Sequence, residues 1–509
     1  MQEKYEQLLK YYNDSTGLHE YIKKAAKRFD KYGIYPDSVQ QKDDTVYFIA
    51  KGEYEKALII IGQGSSLFDG ETIQINRLAI KTCKLSHTNC EQIRKLFPYT
   101  NPVSHAGRYF TFGLGDRLGL ATPGHIRSAN ALDVFPVLAQ QSIREINLTG
   151  RDYTGVLDDV GWAVFQEGYT KGFGADGDHI KTREEVEMAL GCGFTMITLD
   201  CSDHIDNTYF DMSEQQLEQS YARLPESKRS TLEVTYLSPE YMLDAKTPLK
   251  FTRLEFLKAV LVYEKALDFI GYIYHEVLSK NKTKADFEVS VDETTIPTSP
   301  QAHFYIASEL KKRNVIADSM APRFCGEFQK GIDYIGNLED FEKEFIIHAK
   351  IAAFFGYKLS IHSGSDKFSV FPVIGRYTQL HVHVKTAGTN WLEAVRVIAQ
   401  ENPTLFRKMY RLAIQRLEEA KKYYHIKART ENILDIDTLD DTNLPGLMDN
   451  DDSRQILHIT YGMILKETDS NGGSVLKNEI YKTLYEHEDS YIDYLIRHIG
   501  NHFKALGAL

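Results

Sequence analysis

Five cysteines in 509 residues (Cys83, Cys90, Cys192, Cys201 and Cys325) lie scattered, and no two stand in a C-x-x-C pair. That spacing argues against a disulfide framework and against a structural thiolate zinc site, and fits reduced packing thiols in a cytoplasm. A basic surplus is missing as well. At a net charge of −11 the chain has no excess of cations to pair with nucleic-acid phosphates or an anionic membrane. No stretch of eighteen apolar residues occurs, so no membrane helix is expected, and the opening MQEKYEQLLKYYNDS is too polar for a signal peptide. Walker and G-x-S-x-G motifs are absent. The nearest approach to a dinucleotide fingerprint is FGLGDRLGLATPGH (residues 112–125). Its glycines at 113, 115 and 119 miss the spacing by one residue, and Asp116 and Arg117 stand where a pyrophosphate needs small neighbours. A strand end that brings Arg117 and His125 to the mouth of a pocket accounts for it better.

What the chain does contain is alternation of strand-like and helix-like segments. Eight strands are expected: 111–121, 172–179, 195–200, 286–293, 314–318, 357–364, 379–385 and 456–462. Helical stretches such as TREEVEMALGCG and PQAHFYIASELKKRN separate most of them, which is the pattern of a (β/α)8 TIM-type barrel. Residues 1–104 read as a small N-terminal α/β region packed on the barrel, and residues 105–509 as the catalytic barrel. Two spacings exceed one crossover, so helical insertions are placed at about 205–285 and 392–455.

Parity within the strands points to a site. Successive side chains of a strand face opposite sides, and in a barrel one side meets the helices while the other points inward. In DFEVSVDE, Phe287, Val289 and Val291 oppose Glu288, Ser290 and Asp292. Leu359 and Ile361 oppose Ser360 and His362; Val382 and Val384 oppose His383 and Lys385; Ile197 and Leu199 oppose Thr198 and Asp200. A solvent-exposed antiparallel sheet would alternate similarly, but the intervening helices argue against one. Active sites of barrels gather at the C-terminal strand ends, where Asp178, His179, Asp200, Asp292, Glu293, His362, His383 and Lys385 all fall. Clustered imidazoles and carboxylates suit one divalent metal, zinc first, with manganese, nickel or iron also compatible. His381 shares a face with His383 and competes with it as a ligand. The loop HSGSDKF offers Ser363, Ser365 and Lys367 to a carboxylate or phosphate. His303 and His348, within helical stretches, read as structural, and Asp203 and His204 as loop residues.

The strings GFGADGDHIKT, LDCSDHID, VDETTIPTSP, RFCGEFQKGIDYIG, IHSGSDKFSV and HVKTAGTNWLEAVR resemble the tagaturonate epimerase family, over about residue 105 to the C-terminus. The resemblance implies a metal-dependent barrel enzyme that interconverts D-tagaturonate and D-fructuronate in hexuronate catabolism. It assigns function to Asp178, His179, Glu293, His362 and the HVHVK residues. Strand-end positions combined with it make His179, His362 and His383 the expected ligands and Asp178 and Glu293 the acid–base pair, while the loop and strand-end residues Arg117, His125, Ser363, Ser365, Lys367 and Lys385 are the expected substrate contacts. The expected partner is a small keto-uronate, with a homo-oligomer left open.

The two substrates differ at C4, counting from the hydroxymethyl end with the ketone at C2. Enolisation acidifies C3 and cannot invert C4. The C4 hydroxyl is β to the ketone, so a retro-aldol break of C3–C4 is available. A metal on the C2 oxygen would stabilise the enediolate while Asp178 or Glu293 takes the C4 hydroxyl proton. The three-carbon aldehyde acid would then turn and be recaptured on its other face. Lys367 with the Ser363–Ser365 loop, or Arg117, is the expected carboxylate clamp. The competing readings are a barrel aldolase or isomerase for another keto sugar acid or a ketohexose, and an inactive sugar-acid-binding protein.

Overall fold

The computed structural model describes all residues except 1, 11, 13–16, 29, 76, 77, 106, 433 and 434. Eight parallel strands close into a barrel. They are β1 (Phe110–Leu114), β2 (Phe135–Ser142), β3 (Gly174–Ile180), β4 (Met196–Asp200), β5 (Asp286–Val291), β6 (Ser319–Pro322), β7 (Lys358–Ile361) and β8 (Val382–Thr386). Neighbours pair in chain order, and β8 closes against β1 with Val382 opposite Phe110. Outside the strands run α1 (Thr122–Ala129), α2 (Ile143–Thr149), α3 (Tyr153–Gln166), α4 (Arg183–Cys192), α5 (Arg253–Glu276), α6 (Pro300–Lys312), α7 (Leu338–Phe355), α8 (Phe371–Thr378) and α9 (Gly388–Glu401). The TIM-type architecture read from the alternation is therefore correct.

Three strand assignments differ. FPVLAQQS, not recognised in the sequence, is β2. It is buried at every position, so it shows no alternation, and its internal proline weakens the strand signal. Residues 314–318 form the connector before β6, with Asn314 left-handed at φ 54 and Ile316 69% exposed. ILHITYG, expected as the eighth strand, belongs to the helices Asp451–Ile459 and Tyr461–Lys466. Asn450 caps the first through the Ser453 N–H. A run buried on all sides has no period to reveal, which is why helix and strand could not be separated there.

The strand parity holds in three dimensions. Phe287, Val289, Val291, Leu359, Ile361, Val382 and Val384 join the core between strands and helices. The inner side, filled by branched aliphatics in most barrels of this type, carries Thr111, Asp176, Thr198, Glu288, His383 and Lys385 here, all buried. His303 and His348 pair at 2.8 Å in the helical layer, with the Tyr357 hydroxyl 2.6 Å from His303.

An antiparallel five-stranded sheet (residues 40–84) precedes the barrel. After Lys56, ALIII (residues 57–61) is apolar throughout because both faces are covered. Ile59 and Ile61 meet the N-terminal helices, while Leu58 and Ile60 meet Trp162 and Phe165 of α3. Residues 205–285 hold helices Glu214–Tyr221 and Glu226–Tyr236, a short hairpin and α5. After β8, further helices enclose a second core with α9.

Candidate active site

A β-bulge builds the site's first wall. Gly177 pairs with Ile197 and Ile180 with Leu199, so β3 spends one residue more than β4 between these points. His179 occupies the left-handed region at φ 52. Regular pleating would send Asp178 and His179 to opposite sides; the extra residue turns both into one cavity. A side chain at Gly177 would place its Cβ 2.6 Å from Ile180 Cδ1.

Lys385, from β8, stands at the centre. Its Nζ lies 2.8 Å from Asp176, 2.7 Å from Asp178 and 2.9 Å from Glu288, and it donates to Thr198. Burial opposes its charge, yet three carboxylates hold its pKa well above the ordinary value. Burial likewise opposes ionisation of Asp178, but Lys385 and His179 hold its pKa well below the usual range. The Asp178 carboxylate places Oδ1 on both Lys385 and His179 Nδ1, 2.9 Å away. Oδ2 has one long bond, from Gln140 at 3.5 Å.

Two imidazoles converge beside this cluster. His179 Nδ1 is backed by Asp178 and its Nε2 is 4.0 Å from Asp292. His362 Nε2 is backed by Glu288 at 2.7 Å and its Nδ1 is 3.2 Å from Asp292. Burial works against a charged His362, but Asp292 and Glu288 outweigh it and raise its pKa to about 10. Candidate ligand atoms of His179, Asp292 and His362 all lie within 4.8 Å of one another. Each ring has one nitrogen held by a carboxylate and the other turned toward Asp292, an arrangement typical of metal-binding histidines and their supporting carboxylates. The donor set fits a divalent metal.

His383 does not join this group. It lies deeper in the barrel, Nδ1 2.8 Å from the Thr111 hydroxyl, and burial lowers its pKa to about 3. His381 precedes β8 at the opposite barrel end and stacks on Tyr109 at 4.5 Å. Asp292, noted in the sequence as a strand-end carboxylate but left out of the expected ligand set, is the third member of this candidate triad. A second triad, Asp366, His498 and His502, is structural: His502 Nε2 accepts the Asp366 N–H and Nδ1 donates to the His498 carbonyl.

The cavity, about 540 Å³ with part of it open to solvent, is lined by Arg117, Gln140, Arg144, Asp178, His179, Lys330, His362, Ser363, Ser365, Lys385 and His458 among others. Of the expected substrate contacts, Ser363, Ser365, Lys385 and Arg117 reach it. Arg117 is already engaged, with Nε 3.0 Å from Glu145, Nη1 3.3 Å from the His458 carbonyl and its guanidinium 3.7 Å over Tyr461. Lys367 and His125 do not line it. Lys367 Nζ points into protein and donates to the Gln329, Ile332 and Ser365 carbonyls at 2.5–2.9 Å. His125 is fully buried in α1. Asp116 uses its carboxylate to accept the Leu118, Gly119 and Ala121 N–H groups, so the glycine-rich segment is a tight turn. Glu293 sits on the rim, 40% exposed and 3.9 Å from Lys181. Gln140 and His458 escaped sequence reading because their elements were unrecognised or misassigned; Arg144 and Lys330 lie in loops or helix starts without periodicity.

Known proteins match this chain closely. The family model for tagaturonate epimerase matches residues 35–506. The tagaturonate/fructuronate epimerase of Thermotoga maritima is 41% identical over 480 residues, 93% of this chain and 97% of that one. Crystal structures of the fructuronate-tagaturonate epimerase of Cohnella laeviribosi, native and with glycerol, superpose with a TM-score of 0.92 at 46% identity, covering 96% of this chain and 99% of theirs. A matched barrel, a matched length and this degree of identity leave one conclusion: the chain belongs to the tagaturonate epimerase family.

Proposed function

We propose that this chain interconverts D-tagaturonate and D-fructuronate by metal-dependent inversion at C4 through retro-aldol cleavage and recapture. The observation that carries the reading is the convergence of His179, Asp292 and His362, where both imidazoles line a cavity with Asp178, in a chain belonging to this family. A divalent cation held by those three residues would supply Lewis-acid polarisation of the ketone. The protein's own groups do the rest. Asp178 Oδ2, the less engaged carboxylate oxygen, takes the C4 hydroxyl proton. The C4–O bond becomes a carbonyl and the C3–C4 electron pair passes into the enediolate of the C1–C3 fragment. The aldehyde acid of C4–C6 turns about C4–C5, re-adds through its other face, and Asp178 returns the proton. Lys385 keeps Asp178 ionised as an acceptor, and the cavity walls hold both fragments for recapture. Glu293, on the exposed rim, is the weaker candidate for base.

The route has an isotopic signature. Epimerisation in D2O is expected to leave C4 without solvent deuterium, and deuterium placed at C4 is expected to give no primary isotope effect. Solvent deuterium at C4 would show proton abstraction there, and a primary effect would show hydride transfer; either result contradicts the retro-aldol route.

A further inference from the structure

We infer that Lys330, backed by Arg144, recognises the substrate carboxylate and sets a preference for keto sugar acids over neutral ketohexoses. The inference rests on the reading above for the identity of the substrate.

The cavity is electrostatically divided. One wall carries Asp178 and Lys385 with the imidazoles of His179 and His362. The other carries Arg117, Arg144 and Lys330, with Glu145 as the one carboxylate among the cavity's lining residues on that side. Glu145 is taken by Arg117 at 3.0 Å. Lys330 and Arg144 have no carboxylate within 4.0 Å among the described residues. Arg144, at the mouth, stacks on Tyr424 at 5.0 Å and is solvated, so its lack of a partner alone means little. Lys330 is different: it is half-buried, and its ammonium donates to a single neutral side chain, Ser363 Oγ, at 2.9 Å. Burial and the neighbouring Arg144 pull its pKa below the ordinary lysine value. An incoming carboxylate would relieve that unbalanced charge and accept hydrogen bonds the protein leaves unmade.

Lys330 is also held in place. Lys367 ties the carbonyls of Gln329 and Ile332 on either side of it. Arg454 donates to the Gly331 carbonyl at 2.7 Å, and Gln455 to the Gln329 side chain at 2.9 Å. Gly331 lies left-handed at φ 77, and a Cβ there would meet His458 Nδ1 at 3.1 Å. So much fixation around one cation is what preorganised anion recognition requires. The lysine that looked like the clamp in the sequence, Lys367, positions the one that faces the cavity.

The test compares wild type with K330M, K330R and R144Q on tagaturonate and on tagatose. For K330M the ratio of kcat/KM values, acid over neutral, should fall roughly a hundredfold, with K330R recovering part of it and R144Q losing less. Calorimetric dissociation constants for galactonate and galactitol give a second readout independent of turnover: wild type should favour the acid and K330M should not. Equal losses on acid and neutral compounds, or unchanged ratios in both measurements, would overturn the inference. Wild type that binds galactonate through Lys330 yet interconverts no uronate would defeat the functional reading and leave the anion site standing.

Discussion

Asp178 and His179 share a cavity because one residue, His179, accepts a left-handed backbone. Strain of that kind costs on the order of 1–3 kcal/mol and persists where surrounding structure enforces it; here Asp178 and the β3 bulge do so. The same economy governs the candidate ligand triad. Asp292 lies past the end of β5, where the chain leaves the sheet, so strand parity placed it on the correct side but could not give its reach. His383 has the correct parity and the wrong depth. The structure therefore predicts opposite outcomes for two substitutions. D292N should lower metal affinity at least tenfold, whereas H383Q should retain about one metal per chain; elemental analysis after dialysis against a graded chelator checks both. Equal retention by D292N and wild type would return the third ligand to another residue.

Elements were legible where burial was one-sided. In β4, β5, β7 and β8, polar side chains face the barrel interior and apolar ones the helices, so a period of two shows in the sequence. β2 and the helix Asp451–Ile459 are buried throughout, and their character came only from tertiary context. The turn after β1 shows a related limit. Its glycines miss a dinucleotide fingerprint, as their spacing indicates, but the organiser of the turn is Asp116, which caps three N–H groups. D116A strands those donors and should destabilise the protein by on the order of 3 kcal/mol, seen as a lower Tm in thermal unfolding. An unchanged Tm would show that other acceptors replace the carboxylate.

At the scale of the whole molecule, the segments outside the barrel strands take part in the site. The helix Asp451–Ile459 supplies His458 to the cavity and, through Arg454 and Gln455, secures the Lys330 loop. Arg454 also pairs with Asp366 at 2.8 Å, and His498 of the last helix meets the same carboxylate at 2.8 Å, fixing the loop that follows β7. That last helix reaches back to the N-terminal sheet, where Glu488 meets Lys56 at 2.5 Å and Lys51 at 3.4 Å. No helix among the described residues is long and apolar enough to cross a membrane. Metal-dependent inversion can be followed as tagaturonate-to-fructuronate conversion by NMR on protein stripped of metal and then reloaded. Conversion should be lost on stripping and restored by about one equivalent of divalent cation per chain. Conversion that persists after elemental analysis confirms complete metal removal would contradict metal dependence.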